Sequence, residues 1–306
     1  MLVSGKEILN KASDEFYGVG AFNFVNFEML RAIFEAANEA KSPIFIQASE
    51  GAIKYMGIEV AVSMARSFSA RYPHIPVALH LDHGTTFESC KAAVDAGFTS
   101  VMIDASHHNF EENLEITKQV VDYAHSHGVS VEAELGRLMG IEDNIVVDEK
   151  DSVLINPNEA EIFVKESKVD YLAPAIGTSH GAFKFKGEPK LDFPRLQEVK
   201  KRTKIPLVLH GASSIPSWVK DIFIGSGGQL NASGVPFSFI EEAIKGGINK
   251  VNIDTDLRIA FTGTLRQVIA KNAGEFDLRK LFNPSIDAVK KLIVERMNVL
   301  GSSNKI

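Results

Sequence analysis

The chain has 306 residues, of which 45% are hydrophobic and 24% are charged, as in an ordinary globular protein. Its net charge of −6 excludes a broadly basic surface, so we expect binding neither to nucleic acid nor to an anionic membrane. Cys90 is the only cysteine, which excludes an internal disulfide and fits a reducing compartment. The N-terminus is charged and amphipathic, and no apolar run approaches the roughly 20 residues of a membrane span. We therefore expect a soluble, cytoplasmic protein.

Short apolar runs alternate with longer amphipathic segments along the whole chain. The runs are rich in Val, Ile and Leu without strict alternation, which is typical of strands buried on both faces. They predict eight strands, at Val19–Phe24, Pro43–Ala48, Pro76–Leu81, Ser100–Asp104, Val129–Glu134, Tyr171–Ala175, Pro206–His210 and Lys250–Ile253.

Apolar residues at helical spacing separate these strands. They predict helices at Asn26–Ala40, Ile58–Arg71, Thr86–Ala96, Asn109–His127, Asn158–Ser167, Asp192–Arg202 and Pro236–Lys245. A final helix is predicted at Pro284–Leu300, with Asn283 as its cap and Gly301 as its stop. Eight strands with intervening helices predict an α/β fold, the (β/α)₈ TIM barrel. Because no linker divides the pattern, residues 1–306 are predicted to form one domain.

Nearly every predicted strand ends in a polar residue or leads into one. The carboxyl ends of barrel strands meet at one mouth, where such enzymes place their chemistry. Loop polarity alone would explain one or two cases, but not the whole set. The set is Asn23, Ser49, Asp82, His83, Asp104, Glu134, His180, His210, Asn252 and Asp254.

Three of these strand ends consist of a histidine followed by glycine, at His83, His180 and His210. Three histidines with one open position are a typical set of ligands for a catalytic zinc. The glycine lets the backbone approach a metal or its ligand closely. Since the three histidines follow separate strands, their meeting depends on the barrel itself.

Carboxylates at two neighbouring strand ends, Asp104 and Glu134, suit a second cation or an alternative position of the first. Salt bridges to nearby Lys or Arg are the alternative interpretation. Glu132 has the same strand parity as Glu134 and could replace it. His80 lies inside a strand and is interpreted as a core group or a neighbour of the ligands.

The loops after the seventh and eighth predicted strands indicate a phosphate site, because barrels often bind phosphate there. Small residues with free N–H groups and hydroxyls can surround phosphate oxygens. These loops consist of Gly211, Ala212 and Ser213, and of Asn252, Ile253, Asp254 and Thr255. Asp254 would repel phosphate, so we expect it to bond a substrate hydroxyl. The segment Gly136–Asp143 could be a mobile loop that carries a carboxylate inward, or an ordinary solvated loop.

Eight short motifs occur in the order typical of one family. They are AFNF, QASEG, HLDHG, MIDAS, VEAELG, GTSHG, LHGAS and KVNIDTD. From about Lys6 to the C-terminus, the chain strongly resembles the class II fructose-bisphosphate aldolases, most closely their shorter bacterial form. The resemblance independently implies the TIM barrel that the strand pattern predicts.

The resemblance also implies roles for the strand-end residues. His83, His180 and His210 match the ligands of the catalytic zinc, while Asp104 and Glu134 match a second metal site. Asp82 matches the acid that protonates the aldehyde oxygen during condensation. Glu142 matches the base on the family's mobile loop.

Further matches concern the substrate and the assembly. Gly181, Gly211, Ser213 and residues 252–255 match the site for dihydroxyacetone phosphate, and Asn23 and Ser49 match other substrate contacts. Arg279 resembles an arginine that reaches the second phosphate from a neighbouring subunit, although the family motif has proline at Leu278. The resemblance therefore implies a homodimer or larger homo-oligomer. It also implies a monovalent cation near the phosphate.

The activity that the resemblance implies is reversible cleavage of fructose 1,6-bisphosphate through a zinc-stabilised enediolate, a step of glycolysis and gluconeogenesis. Tagatose-1,6-bisphosphate aldolase is the nearest alternative, but Asp254 favours fructose because the tagatose enzymes resemble KVNVAT there. A barrel metallohydrolase is a further alternative, but such enzymes have His-x-His in the first strand, and the first predicted strand of this chain has no histidine. A non-catalytic sugar-phosphate binder would not need the metal triad and the acid. A Schiff-base aldolase needs a lysine at a strand end, whereas Lys184 and Lys186 lie in a loop.

Overall fold

Eight parallel strands close into a barrel in the computed structural model, which describes residues 1–137, 139–142, 145–147, 152–180, 191–230 and 234–306. The predicted TIM barrel is confirmed. The barrel strands are β1 (Val19–Asn23), β2 (Ile44–Ser49), β3 (Val77–Gly84), β4 (Ser100–Ile103), β5 (Ser130–Leu135), β8 (Tyr171–Pro174), β10 (Leu207–Leu209) and β11 (Ile248–Ile253). Around the barrel they follow the order β1-β11-β10-β8-β5-β4-β3-β2.

Each of the eight predicted strands corresponds to one barrel strand, with each end shifted by at most three residues. Nearly every residue of these strands is buried, as the continuous apolar runs predict. A smaller sheet contains β6 (Met139–Glu142), β7 (Ile145–Val147) and β9 (Ser179–His180), in the order β7-β6-β9.

The helices surround the barrel. They are α1 (Gly5–Asp14), α2 (Phe27–Ala40), α3 (Glu50–Met56), α4 (Ile58–Arg71), α5 (Phe87–Ala96), α6 (Phe110–Ser126), α7 (Pro157–Ser167), α8 (Phe193–Thr203), α9 (Ser217–Gly225), α10 (Phe237–Lys245), α11 (Thr255–Lys271) and α12 (Leu278–Leu300). The seven helices predicted between strands are confirmed to within one residue at their starts. Side-chain caps explain this agreement: Asn26, for example, accepts a hydrogen bond from the backbone N–H of Met29 at 2.9 Å. No helix within the described ranges is long and apolar enough to span a bilayer.

The predicted start of the last helix is wrong. The helix begins at Leu278, after Asp277 accepts a hydrogen bond from the N–H of Arg279, and it continues through Pro284. Proline disfavours a helix interior, but tertiary packing overrides this preference where the following turns bury Ile286 and Val289. The sequence prediction also omitted α1, α3, α9 and α11.

The two ends of the barrel have different chemistry. At the amino-terminal end, Ile8, Leu9 and Ala12 of α1 belong to a buried apolar cluster with Phe45 and Tyr171. This cluster fills the floor of the barrel and excludes water from it. The polar strand ends lie at the opposite mouth. Because apolar side chains fill the floor, the candidate site lies only at that mouth.

Gly5, the first residue of α1, lies where a side chain would not fit. A Cβ there would lie 2.6 Å from the Tyr171 hydroxyl and 2.8 Å from Cε1 of Phe45. Because these groups form the packed floor, we expect Gly5→Ala to lower the free energy of unfolding by about 1–3 kcal/mol. The measurement is urea unfolding monitored by circular dichroism. Gly274→Ala is the matched control, since no atom of the described residues lies within 4 Å of its Cβ position; equal losses in both variants would contradict the steric account.

Candidate active site

The carboxyl ends of the strands bring the predicted polar residues together at the mouth. Asn23 ends β1, Asp82 and His83 lie near the end of β3, and Glu134 lies near the end of β5. Asp104 and His210 each follow directly after a strand. These side chains are almost fully buried, although every one of them is polar or charged. Buried polar groups at one place require mutual hydrogen bonds or a ligand.

Among the described residues, His83, Glu134 and His210 form one group that could hold a metal ion. Each offers a ligand atom, and these atoms all lie within 4.8 Å of one another. The ring centroids of the two histidines are 4.7 Å apart. Two imidazoles and a carboxylate form a donor set that suits zinc and similar divalent metals. The backbone of His83 is in the left-handed region, with φ of 48°.

Asp104 holds the ring of His83. One of its oxygens lies 2.8 Å from His83 Nδ1, and the other accepts a hydrogen bond from the N–H of Ser106 at 3.2 Å. Burial raises the pKa of Asp104, but the hydrogen bonds from His83 and Ser106 outweigh burial and bring that pKa below its usual range. Asp104 is therefore a carboxylate that fixes the orientation of a candidate metal ligand.

His210 lies between two glutamates. Its Nε2 is 2.7 Å from Glu132 and its Nδ1 is 3.0 Å from Glu134. Burial lowers the pKa of His210, but the hydrogen bonds to both glutamates outweigh burial and raise it. Both ring nitrogens thus face a carboxylate oxygen, an arrangement that favours a proton on the ring, and a metal at either nitrogen must replace such a proton. Glu132 contacts a candidate metal ligand here.

Asp82 is held by two amides. Its Oδ2 accepts from Nδ2 of Asn23 at 2.8 Å, and its Oδ1 accepts from Nδ2 of Asn252 at 3.1 Å. The Asn23 oxygen in turn accepts from Nε2 of Gln47 at 2.7 Å. The carboxylate is thus fixed in one orientation beside His83. Gln47 was not among the predicted site residues, although its position two residues before Ser49 on β2 gives it the same strand parity.

Lys250, which was not among the predicted site residues, is a buried cation below the mouth. Its Nζ lies 2.8 Å from Oε2 of Glu132 and donates to Oδ1 of Asn252 at 2.7 Å. Burial raises the pKa of Glu132, but the Lys250 charge and the neighbouring His210 and His80 together outweigh burial and hold that pKa below its usual range. His80 is completely buried, and burial and Lys250 together lower its pKa to about 3. The sequence signal for Lys250 was a lysine inside an apolar strand run.

The loops after β10 and β11 meet at the predicted phosphate site. The N–H of Ser214 donates to Asp256 in the first turn of α11 at 3.2 Å. Ala212 and Ser213 are buried just before this contact. The start of α11 directs backbone N–H groups toward the same place, which suits an anion. Asp254 pairs with Arg258 at 2.7 Å.

Arg296 of α12 lies beneath this site and is buried. Its Nη2 is 2.9 Å from Oδ2 of Asp256 and donates to the carbonyl of Ser214, and its Cζ lies 4.4 Å from the Phe237 ring centroid. The C-terminal helix thereby fixes both loops of the predicted phosphate site.

Other predicted site residues lie away from the mouth or outside the described residues. The hydroxyl of Ser49 accepts a hydrogen bond from the N–H of Ala52 at 3.3 Å, which caps α3. Arg279 is exposed and pairs with Asp277 at 2.8 Å, so within one chain it does not join the mouth. The backbone of His180 pairs with that of Gly140 between β9 and β6, two residues from Glu142. The side chains of His180 and Glu142, and all of Gly181, lie outside the described residues.

The fold and the histidine–glutamate cluster are those of a barrel enzyme with a metal centre. The sequence model of the family described as fructose-bisphosphate aldolase class-II matches residues 3–305. The chain belongs to that family.

Individual relatives cover the chain from end to end. A fructose-bisphosphate aldolase of Helicobacter pylori strain J99 is 72% identical over 307 residues, covering 100% of both chains. One of Thermus caldophilus is 52% identical and covers 99% of both. The crystal structure of the YdjI aldolase from Escherichia coli K12 superposes with a TM-score of 0.81 at 32% identity, covering 100% of this chain and 99% of that one.

The ion pair of Arg296 with Asp256 should be essential for stability. Arg296→Met leaves a buried carboxylate without its cation, so we expect the free energy of unfolding to fall by about 3–5 kcal/mol. Urea unfolding provides the measurement. Arg202→Met is the control, because the pairs of Arg202 with Glu198 and Glu161 lie at the surface and should contribute about 0–1 kcal/mol. Similar losses in the two variants would show that burial of the pair is unimportant.

Proposed function

We propose that this chain catalyses the reversible aldol cleavage of fructose 1,6-bisphosphate to dihydroxyacetone phosphate and glyceraldehyde 3-phosphate. The observation that carries the proposal is the meeting of a buried metal-ligand cluster with Asp82, whose orientation is fixed, at the barrel mouth. Relatives named fructose-bisphosphate aldolase, 72% and 52% identical over nearly the whole chain, support this substrate.

The proposed cofactor is zinc, held by His83, His180 and His210. Asp104 and Glu134 would serve a second position of the metal, which the closeness of Glu134 to His83 and His210 supports. When bound, zinc stabilises the negative charge that develops on the ketone oxygen, a Lewis-acid role that is worth several kcal/mol. By orienting His83, Asp104 would keep one ring nitrogen available to the metal.

Asp82 is the proposed acid and base at the bond that breaks. In cleavage its carboxylate takes the proton of the C4 hydroxyl, the C3–C4 bond breaks, and C4 leaves as the aldehyde. The electron pair stays on the three-carbon fragment. The amides of Asn23 and Asn252 hold the carboxylate for this transfer, which supports the role. Glu142 then returns a proton to the carbon of that fragment, which completes dihydroxyacetone phosphate.

The phosphate of the three-carbon fragment is proposed to bind at Gly181, Gly211, Ala212, Ser213, Ile253 and Thr255. The start of α11 and the Arg296-supported contact between the loops favour an anion there. Asn23, Ser49, Asn252 and Asp254 would contact substrate hydroxyls. A monovalent cation near this phosphate belongs to the same proposal.

The second phosphate is proposed to bind Arg279 of a neighbouring copy, which makes the protein a homodimer or larger assembly. The support is the exposure of this segment, where Arg279 follows Phe276 and Leu278, two large apolar residues that are also exposed. Exposed apolar side chains of this kind favour burial against another surface. The proposed location is the cytoplasm.

Removal of the metal tests the function. A chelator should abolish cleavage of fructose 1,6-bisphosphate, and added zinc should restore it, because the charge on the ketone oxygen then regains its stabilisation. Coupled-enzyme turnover is the measurement, and chelator saturated with zinc beforehand is the control. The tagatose epimer should react roughly tenfold or more slowly, as expected from one misplaced hydrogen bond. Full cleavage by metal-free protein, or borohydride trapping of substrate on a lysine, would reject the mechanism.

The two proton-transfer roles can be separated by isotope exchange. Asp82→Asn should lower kcat for cleavage by roughly 10²–10⁴-fold, yet leave solvent deuterium exchange into dihydroxyacetone phosphate nearly normal. Glu142→Gln should lower both rates, because it removes the base for the three-carbon fragment. Nuclear magnetic resonance follows the exchange. Fast exchange in Glu142→Gln would show that another group moves the proton of the three-carbon fragment. Near-normal cleavage by Asp82→Asn would show that Asp82 is not the acid and base at the C3–C4 bond.

A further inference from the structure

Lys250 lies between two parts of the candidate site that otherwise have separate tasks. We propose that it is a positioning residue, which orients both Asp82 and His210 through one buried chain of contacts. The chain runs from Asp82 through Asn252, Lys250 and Glu132 to His210. The inference rests on the proposed function only in naming Asp82 as the acid and His210 as a metal ligand.

The first half of the chain fixes the Asn252 amide. Lys250 Nζ donates to its oxygen at 2.7 Å, so the amide nitrogen must face Oδ1 of Asp82 at 3.1 Å. An ammonium group can only donate, so it excludes the flipped amide. Without Lys250, the amide could turn its oxygen toward the carboxylate and release Asp82 from one of its two fixed contacts.

The second half fixes the carboxylate of Glu132. Its Oε2 lies 2.8 Å from Lys250 Nζ, while its Oε1 lies 2.7 Å from Nε2 of His210. A proton held on Nε2 leaves Nδ1 available on the side of Glu134, where the candidate metal cluster lies. A carboxylate that holds the far nitrogen of a histidine sets the ring orientation and its basicity toward a metal. Lys250 holds that carboxylate in place.

The barrel explains why a lysine occupies this position. Lys250 and Asn252 are two residues apart on β11, so they share one face of the strand. Glu132 stands on β5, which β10 and β8 separate from β11. The four-carbon stem of lysine spans this distance through the interior, and both charges are completely buried. Removing one partner of such a pair leaves an uncompensated buried charge, so the other side chains must rearrange.

Zinc affinity without substrate provides the test. Competition with a chromophoric chelator would measure zinc binding to the wild type, Lys250→Met, Glu132→Gln and the double variant. Each single change should weaken binding about 10–100-fold, the usual effect of losing a group that orients a metal ligand. The double variant should bind zinc no more weakly than the weaker-binding single variant, because both changes interrupt the same chain of contacts.

Lys200→Met is the matched control. Lys200 is partly buried, and its Nζ donates to the Ser13 hydroxyl at 2.9 Å, to the Ile205 carbonyl at 3.0 Å and to Oδ1 of Asn249 at 3.3 Å. None of these contacts belongs to the chain of contacts from Asp82 to His210. We expect its loss to reduce stability and to leave zinc affinity unchanged. Lys250→Gln replaces Lys250→Met if the latter fails to fold, since Gln keeps a donor for Asn252 but removes the charge.

At saturating zinc, the loss of Asp82 orientation should remain visible. Folded Lys250→Met should then show kcat for bisphosphate cleavage reduced about tenfold or more, with little change in KM. Wild-type zinc affinity in the folded Lys250 variants would overturn the inference. Losses that multiply in the double variant, or an equal loss of zinc affinity in Lys200→Met, would also overturn it. Because zinc binding is measured without substrate, this outcome is independent of which sugar phosphate the enzyme cleaves.

Discussion

The mouth of this barrel depends on compensating buried negative charge. Asp82, Asp104, Glu132 and Glu134 are all almost completely shielded from water, and an isolated carboxylate in such a place would be very costly. Each therefore has a partner: amides for Asp82, His83 for Asp104, and His210 for both glutamates, with Lys250 beside Glu132. Burial first, and then the charge of Asp104, raise the pKa of Glu134, so a divalent cation beside Glu134 would stabilise its ionised form.

The rest of the architecture gives these charges fixed positions. The apolar floor under α1 excludes water from one end of the barrel, and the strands carry their inward-facing residues to the other end. The loops of the predicted phosphate site are held from below by Arg296, another buried charge, which pairs with the Asp256 carboxylate. The candidate metal cluster, Asp82 and the predicted phosphate site are thus mounted on rigid elements, which keeps their groups within the small tolerances that catalysis requires.

Much of this protein follows from the sequence alone. Apolar runs without strict alternation determined the eight strands, since both faces of each strand are buried, and helical spacing with caps such as Asn26 determined seven helices. The positions of His83, Asp82 and His210 at strand ends predicted that they would meet. His83 and His210 lie together in the structure, because strand parity and barrel order place residues in space with little help from side-chain detail.

Tertiary structure decided what depends on partners distant in the chain. Pro284 reads locally as a helix start, but packing of Ile286 and Val289 carries the helix through it. Lys250 and Arg296 read locally as ordinary cations, and only the closed barrel places them beside Glu132 and Asp256. The sequence thus determined the elements and the mouth residues, because periodicity and strand ends are local. The pairing of buried charges was decided by the fold, because it depends on atoms brought within 3 Å of each other from strands and helices far apart in the chain.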